Sequence, residues 1–451
     1  MTLSQRRRAL FLTTVAIATV FAVTEGMSLL AIRLSRPFLI EEIRTTRDIL
    51  REQSERIQRL LERDSSHMLA PDPLLGWRYR AGYHDSANTM NAQDLRSTRQ
   101  YTPQPPRGVL RVAAFGDSFV YGNEVADSDA WPALVEQLFP RVEVLNYGVG
   151  GYGVDQAYLR FCTEGTALSP RIVIIGFATD DLRRVVNVYR RFISNREIPL
   201  VKPRFALDPR GVLVLRPNPL PHLSDYERYL RSPRDIARLG ANDYWYRAAI
   251  YQNPVYDYSA TVRLLTNLWL RVYERYFAPD RLFRHGQFSP SSTAFRIQTL
   301  LFKEFAAAVR AAGARPIVVT FPDRQSVAEA RQGRQTVFAP LVREVAAAGI
   351  DHIDLTEAFV DPTALGDVNT WFMRGGHYSR AGNRVVALRL AWEVLARAVS
   401  LGSDEDLLRA RDGSGPRESG ACPAEAVQQG TPPLSSAADP VARHLRHSGA
   451  P

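Results

Sequence analysis

Cysteine is nearly absent from this chain: 451 residues contain two, Cys162 and Cys422. Neither has a metal-ligand spacing, so no metal site is expected, and no disulfide between them is expected either. Cys162 lies in an apolar stretch of helical character and reads as a buried thiol; Cys422 lies in the tail. No Gly-Lys-Ser/Thr follows a glycine-rich loop, which excludes a phosphate cradle of the P-loop kind, and no cofactor is expected. No block of basic residues accompanies a nucleic-acid motif. The formal net charge of +10 comes mostly from scattered arginine and reads as solvated surface, with attraction to anionic lipid or polyanionic glycan as a weaker option. Nucleic acid is not an expected partner.

One long apolar run stands at the N-terminus. Arg6-Arg7-Arg8 precede residues 9–32, which are mostly apolar and interrupted by Glu25 near the far end. About 20 apolar residues suffice to cross a bilayer. A cleaved signal peptide would need small residues just after the apolar core, but Ala16-Ile17-Ala18 falls inside it. The run therefore reads as an uncleaved signal anchor. The arginine triplet puts residues 1–8 in the cytoplasm and the rest outside it, although Arg33, Arg36, Arg44 and Arg47 weaken that bias. Residues 33–70 form a juxtamembrane segment. Within it Ile43, Leu50 and Ile57 recur every seven residues, which suits either a short coiled coil or a helix packed on its own domain. At the other end, residues 403–451 are rich in Gly, Pro, Ser, Ala and charge, without periodicity, and read as a disordered tail.

Between these ends lies an α/β pattern. Residues 71–108 are a covering segment that opens on Asp72-Pro73-Leu74-Leu75-Gly76-Trp77. Strands are expected at 109–115, 142–147, 171–177, 316–321 and 350–355, and helices at 130–138, from near 154, at 294–312, at 336–348 and from Ser379 to about 399. Such alternation predicts a three-layer α/β/α sandwich with a mostly parallel sheet, whose strand ends share one edge. Residues 183–289 break the alternation as a long insertion, with a hairpin at 205–215 and more than half of the tyrosines. Its rings, among them Tyr244, Trp245, Tyr246, Tyr251, Tyr256 and Tyr258, either stack on sugars or pack a small cap.

Three strands end in chemically distinct loops. The first leads into Gly116-Asp117-Ser118, where a serine hydroxyl can stand at the sheet edge beside backbone N–H groups. The second leads into Gly148-Val149-Gly150-Gly151-Tyr152-Gly153, and the third into Ala178-Thr179-Asp180-Asp181. Gly375-Gly376-His377 precedes the final helix. Tyr152, Asn187 and Tyr189 follow these strand ends and are candidate substrate contacts.

Over residues 109–402 these blocks, in this order, resemble the SGNH (GDSL-type) hydrolase superfamily, with a flavodoxin-like fold. The resemblance implies Ser118 as nucleophile and His377 as its base, with an oxyanion held by the N–H groups of Ser118 and Gly151 and by a side chain of the third block. Two positions depart from the pattern. The oxyanion Asn is replaced by Asp180, or by Asp181 if the alignment slips. The acid expected three residues before the histidine is Arg374, so Asp367 or Asp354 is left as third member of a triad. The anchor and the Asp-Pro-Leu-Leu-Gly-Trp opening look like those of membrane-anchored members linked to bacterial surface polysaccharide. That likeness implies a carbohydrate or small acyl-ester substrate and partner proteins of polysaccharide synthesis. Three readings follow: an O-acyl esterase on cell-surface carbohydrate, an O-acetyltransferase on the same glycans, and a catalytically weakened scaffold.

Overall fold

The computed structural model describes residues 3–36, 42–62, 66–360 and 366–400. The expectations for Cys422 and for a disordered tail at 403–451 fall outside them. The chain begins with helix α1 (Leu3–Ser35), whose apolar side chains are almost all exposed and which is long and apolar enough to cross a membrane. Helix α2 (Thr46–Leu61) follows. The Thr45 hydroxyl accepts the Asp48 N–H at its start, as an N-cap should. Leu50, Ile57 and Leu60 are buried, and the helix packs on the insertion: Gln53 donates to the Tyr251 hydroxyl and the Thr46 N–H to Asp257.

The core is a five-stranded sheet made of β1 (Leu110–Phe115), β2 (Val142–Asn146), β3 (Ile172–Phe177), β4 (Arg315–Thr320) and β5 (Asp351–Asp354), in the order β5-β4-β3-β1-β2. Every pairing is parallel. The two-residue period of a strand splits the side chains into two cores. Ala113, Phe115, Leu145, Val173 and Ile175 face one side, where α5 (Val154–Glu164), α8 (Thr293–Ala311) and α9 (Ala339–Ala347) cover them with Phe161, Phe305 and Leu341. Val112, Ala114, Val144, Ile174 and Val319 face the other, under α4 (Trp131–Leu138) and α10 (Arg380–Ser400). A strand covered on both faces reads as a continuous apolar run, as β3 does, whereas the edge strand β5 has a single fully buried residue, Ile353. Each buried Val, Ile, Leu or Phe in these two cores contributes roughly 1.5–3 kcal/mol.

The insertion forms a cap. Its hairpin pairs Arg204–Leu207 with Leu213–Arg216. Most of its rings pack on each other rather than face outward. Tyr246 stacks on Tyr251, Phe192 meets both edge-on, and Tyr256 is buried, so only Tyr258 of the six rings stands well exposed. The basic charge also departs from the expectation of a solvated surface. Arg111, Arg160, Arg190 and Arg191 are fully buried and paired with Glu143, Glu164, Glu197 and Glu52 respectively. A guanidinium can be buried when carboxylates and carbonyls replace its water. Cys162 is disulfide-bonded, which corrects the expectation of a free thiol.

His352 on β5 adds a pH dependence. Its Nε2 lies 2.8 Å from the Thr320 hydroxyl, and burial, helped by the charge of Arg397, holds the imidazole at about 4 against an ordinary 6.5. Between those values the unfolded chain binds a proton that the folded chain refuses, so stability must decrease as pH falls through this window. Denaturation midpoints measured from pH 7 to pH 4 should fall, and His352→Gln should flatten that fall.

Candidate active site

Ser118 opens a single helical turn, α3 (Ser118–Tyr121), directly after β1. Asp117 caps it by accepting the Phe119 N–H at 2.8 Å, and Gly122 ends it at φ +85°. The turn sits tightly against the neighbouring strand ends. A Cβ on Gly148 would collide with the Tyr121 backbone, and one on Gly176 would stand 2.5 Å from the Val120 side chain. Absent side chains at these positions let the turn seat, and so set the height of the Ser118 hydroxyl above the sheet edge.

His377 arrives from the far end of the chain. The loop before α10 closes through the Met373 N–H donating to the His377 carbonyl at 2.7 Å, and the Ser379 hydroxyl accepts the Gly382 N–H in the first turn of the helix. Tyr378 is buried, donates to the Pro322 carbonyl and packs edge-on against Phe119. His377 Nε2 then lies 2.8 Å from Ser118 Oγ, which brings together the two residues singled out from the sequence.

The other ring nitrogen, Nδ1, lies 2.7 Å from Glu124 Oε2. Glu124 also accepts the N–H groups of His377 (3.0 Å) and Gly375 (2.9 Å). Burial pushes its carboxyl up, but these hydrogen bonds outweigh it and hold the group below the usual carboxylate range. An ionised Glu124 only accepts, so Nδ1 carries the proton and Nε2 is free to accept from the serine. Glu124 adopts φ +69°, a left-handed conformation that is uncommon outside glycine. It lies six residues after Ser118, past the glycine that ends α3, and sequence reasoning missed it because the pattern places the acid beside the histidine. The positive φ, not legible in sequence, is what turns it back toward the site.

The expected third members are elsewhere. Asp367 caps the turn Val368–Trp371 and binds Asn369, and Asp354 accepts the Thr356 N–H; Arg374 is exposed. The third-block carboxylates differ from the expectation as well. Asp181 is buried, turned inward to the Ala178 N–H (3.0 Å) and to Arg184 Nη1 (2.9 Å). That nitrogen also stands 2.9 Å from Asp117 Oδ2 and 2.9 Å from the Tyr152 carbonyl. Burial first, then the charge of Asp117, pushes the Asp181 carboxyl well above its usual range against the pull of Arg184. Asp181 therefore belongs to a buried cluster behind the serine turn rather than to an oxyanion site. Asp180 is exposed and lies 4.0 Å from Arg183 and from Arg184.

Gly151 adopts φ +80°. Among the described residues no hydrogen-bond partner is seen for the N–H groups of Ser118 and Gly151, which leaves both available. The loop that carries Gly151 is braced from the covering segment. Trp77 donates to the Gly150 carbonyl (3.1 Å), the Tyr79 hydroxyl accepts the Gly150 N–H (2.9 Å), and the Tyr152 hydroxyl donates to the Trp77 carbonyl (2.6 Å). Tyr152, a candidate substrate contact from the sequence, is thus buried. So are Asn187, which donates to Asp243 and the Tyr189 carbonyl, and Tyr189, whose ring meets Phe192. Among the described residues no group of three or more His, Cys, Asp and Glu side chains is arranged to hold a metal ion.

The Arg184 cluster should be costly to break. Arg184→Met leaves two buried carboxylates facing each other and should lose roughly 3–5 kcal/mol of folding free energy. Urea denaturation measures the loss, and a change within error of zero would show that the cluster is not under tension from burial.

No curated protein matches the chain in sequence. Among solved structures, a lipolytic protein of the G-D-S-L family from Desulfitobacterium hafniense is 13% identical, with 62% of this chain and 97% of that one covered and a TM-score of 0.31. A lipase/acylhydrolase from Enterococcus faecalis is 13% identical, with 64% and 97% covered and a TM-score of 0.30. A two-domain esterase active on acetylated mannans is 11% identical, with 63% and 48% covered and a TM-score of 0.31. The model of the GDSL-like lipase/acylhydrolase family matches residues 114–385, a span that runs from the end of β1 through His377 into the last helix, and the chain belongs to that family.

Proposed function

We propose that the protein is a serine esterase that removes acyl groups, acetyl first among them, from cell-surface carbohydrate, and that α1 holds it in the membrane with its α/β domain outside the cytoplasm. The observation that carries the esterase reading is the continuous chain Ser118 Oγ, His377 Nε2, His377 Nδ1, Glu124 Oε2, with links of 2.8 and 2.7 Å. In this reading Ser118 attacks the ester carbonyl as His377 takes its proton, and the N–H groups of Ser118 and Gly151 receive the oxyanion. The sugar hydroxyl leaves with the proton from His377. Water then attacks the acyl-serine, His377 accepting one of its protons, and the free acid is released. Glu124 keeps the imidazole in the tautomer that can accept, and steadies the imidazolium. Glu124 beside His377 supports an enzyme over a scaffold, because it supplies the acid that Arg374 does not. The carbohydrate substrate rests on the likeness of the N-terminal anchor and covering segment to membrane-anchored relatives.

Ser118→Ala should abolish hydrolysis of 4-nitrophenyl acetate with the fold unchanged. Glu124→Gln should lower kcat by about 10²–10⁴-fold, the range of a general acid–base contribution. Asp367→Asn should stay near wild type; a fall there as deep as that of Glu124→Gln would move the third member back to Asp367. Acetate released from an acetylated polysaccharide tests the substrate, and acetyl passed to a second glycan instead of to water would make the protein a transferase.

A further inference from the structure

The cap carries an apolar face that nothing among the described residues covers. In helix α7 (Ala260–Val272) and the wide turn Tyr273–Phe277 that continues it, Leu265, Leu268, Trp269, Val272, Tyr276 and Phe277 are each 42–62% exposed. The first five fall at positions i, i+3, i+4, i+7 and i+11, so they form one stripe along the helix. Patches of this kind on a soluble surface mark an interaction.

The stripe is continuous with α1. Glu25 of α1 accepts the Ser259 hydroxyl and the N–H groups of Ala260 (2.6 Å) and Thr261 (3.3 Å), which are the otherwise unpaired donors at the start of α7. Ser28 and Thr261 share a hydroxyl hydrogen bond at 3.0 Å, and Ile32 packs with Ala260 and Leu264. A helix rises about 1.5 Å per residue, so Glu25 lies roughly 10 Å inside the end of the apolar run at Ile32. A carboxylate at that depth is costly unless it is hydrogen-bonded, and the start of α7 supplies those bonds. The contact draws α7 down to the level where the run meets water. There a Trp and Tyr residues are the side chains that suit the boundary, with an apolar body and a polar tip.

We propose that α7 lies in the membrane–water interface on the domain's side, with this stripe in the lipid, as a second attachment that fixes the cap to the bilayer beside α1. The proposal rests on the reading that α1 spans the membrane. Its occupant is lipid rather than a protein because the face continues that of α1 and begins at its Glu25 contact.

The test uses the full-length protein reconstituted in phosphatidylcholine–phosphatidylglycerol vesicles with brominated acyl chains, beside Trp269→Phe and Leu268→Glu. Flotation with the vesicles reads the α1 anchor. Tryptophan quenching by the bromolipid reads α7. We expect all three proteins to float, the wild type to be quenched, Trp269→Phe to lose most of that quenching, and Leu268→Glu to weaken it with unchanged hydrolysis of 4-nitrophenyl acetate. Flotation with equal quenching in wild type and Trp269→Phe would overturn the interfacial helix and leave the anchor standing, as it would if a protein covers the stripe. Failure to float would overturn the anchor and α7 with it.

Discussion

The buried guanidinium of Arg184 is the interaction on which the catalytic edge depends. It reaches three strand-end loops at once: Asp117 before the serine, the Tyr152 carbonyl in the glycine loop, and Asp181 in the third block. Each of these loops has to leave its strand in a different direction, and backbone pairing within the sheet stops at the strand ends. A buried cation between two carboxylates and a carbonyl gives them a common centre. Two acids and one base make an excess of negative charge there, and the cluster answers it through Asp181, whose carboxyl is pushed toward the protonated form. The acidic pair that looked like a misfit for an oxyanion site is divided in two by this arrangement: Asp181 is structural and Asp180 faces solvent.

On the outer side of the same edge, the covering segment does for the glycine loop what Arg184 does for the serine turn. Trp77 and Tyr79 come from a short antiparallel pair, Leu69–Asp72 with Gly76–Tyr79, and between them bind both polar groups of Gly150. Gly151 is thereby left with its N–H unspent. A loop with four glycines has much conformational freedom to lose, and neighbouring rings and hydrogen bonds remove that freedom before substrate arrives. The Asp-Pro-Leu-Leu-Gly-Trp opening is therefore part of what shapes the site. The Gly76 backbone at φ +87° places Trp77, and Asp72 accepts the N–H groups of Leu74 and Leu75 in the turn.

The cap links this edge to the N-terminal helices. Its aromatic residues are spent mostly on its own interior, where rings offer a large apolar area to a unit with little regular secondary structure. Helix α2 lies on it, Glu52 of that helix pairs with the buried Arg191, and Glu25 of α1 binds the start of α7. Helices α1 and α2 and the cap are therefore packed together.

The sequence by itself determined the places of the five strands and the parallel character of their sheet, because central strands buried on both faces are written as largely apolar runs, as in Ile172–Phe177, and alternate with amphipathic helices. It also determined that Ser118 and Gly151 follow strand ends and that His377 precedes the last helix, since a strand end can be found from where an apolar run stops and a helix start from where its periodicity begins. Tertiary structure alone decided which acid meets the histidine. Glu124 and Asp367 are both loop carboxylates, and only a left-handed backbone at Glu124, two loop N–H groups and the seating of α3 aim one of them at Nδ1. The fate of Asp180 and Asp181, of Tyr152, Asn187 and Tyr189, and of the buried arginines was decided in the same way. Side-chain direction and burial at a loop or in a cap follow from long-range contacts that no local period records, whereas the period of a strand is a local property of the chain.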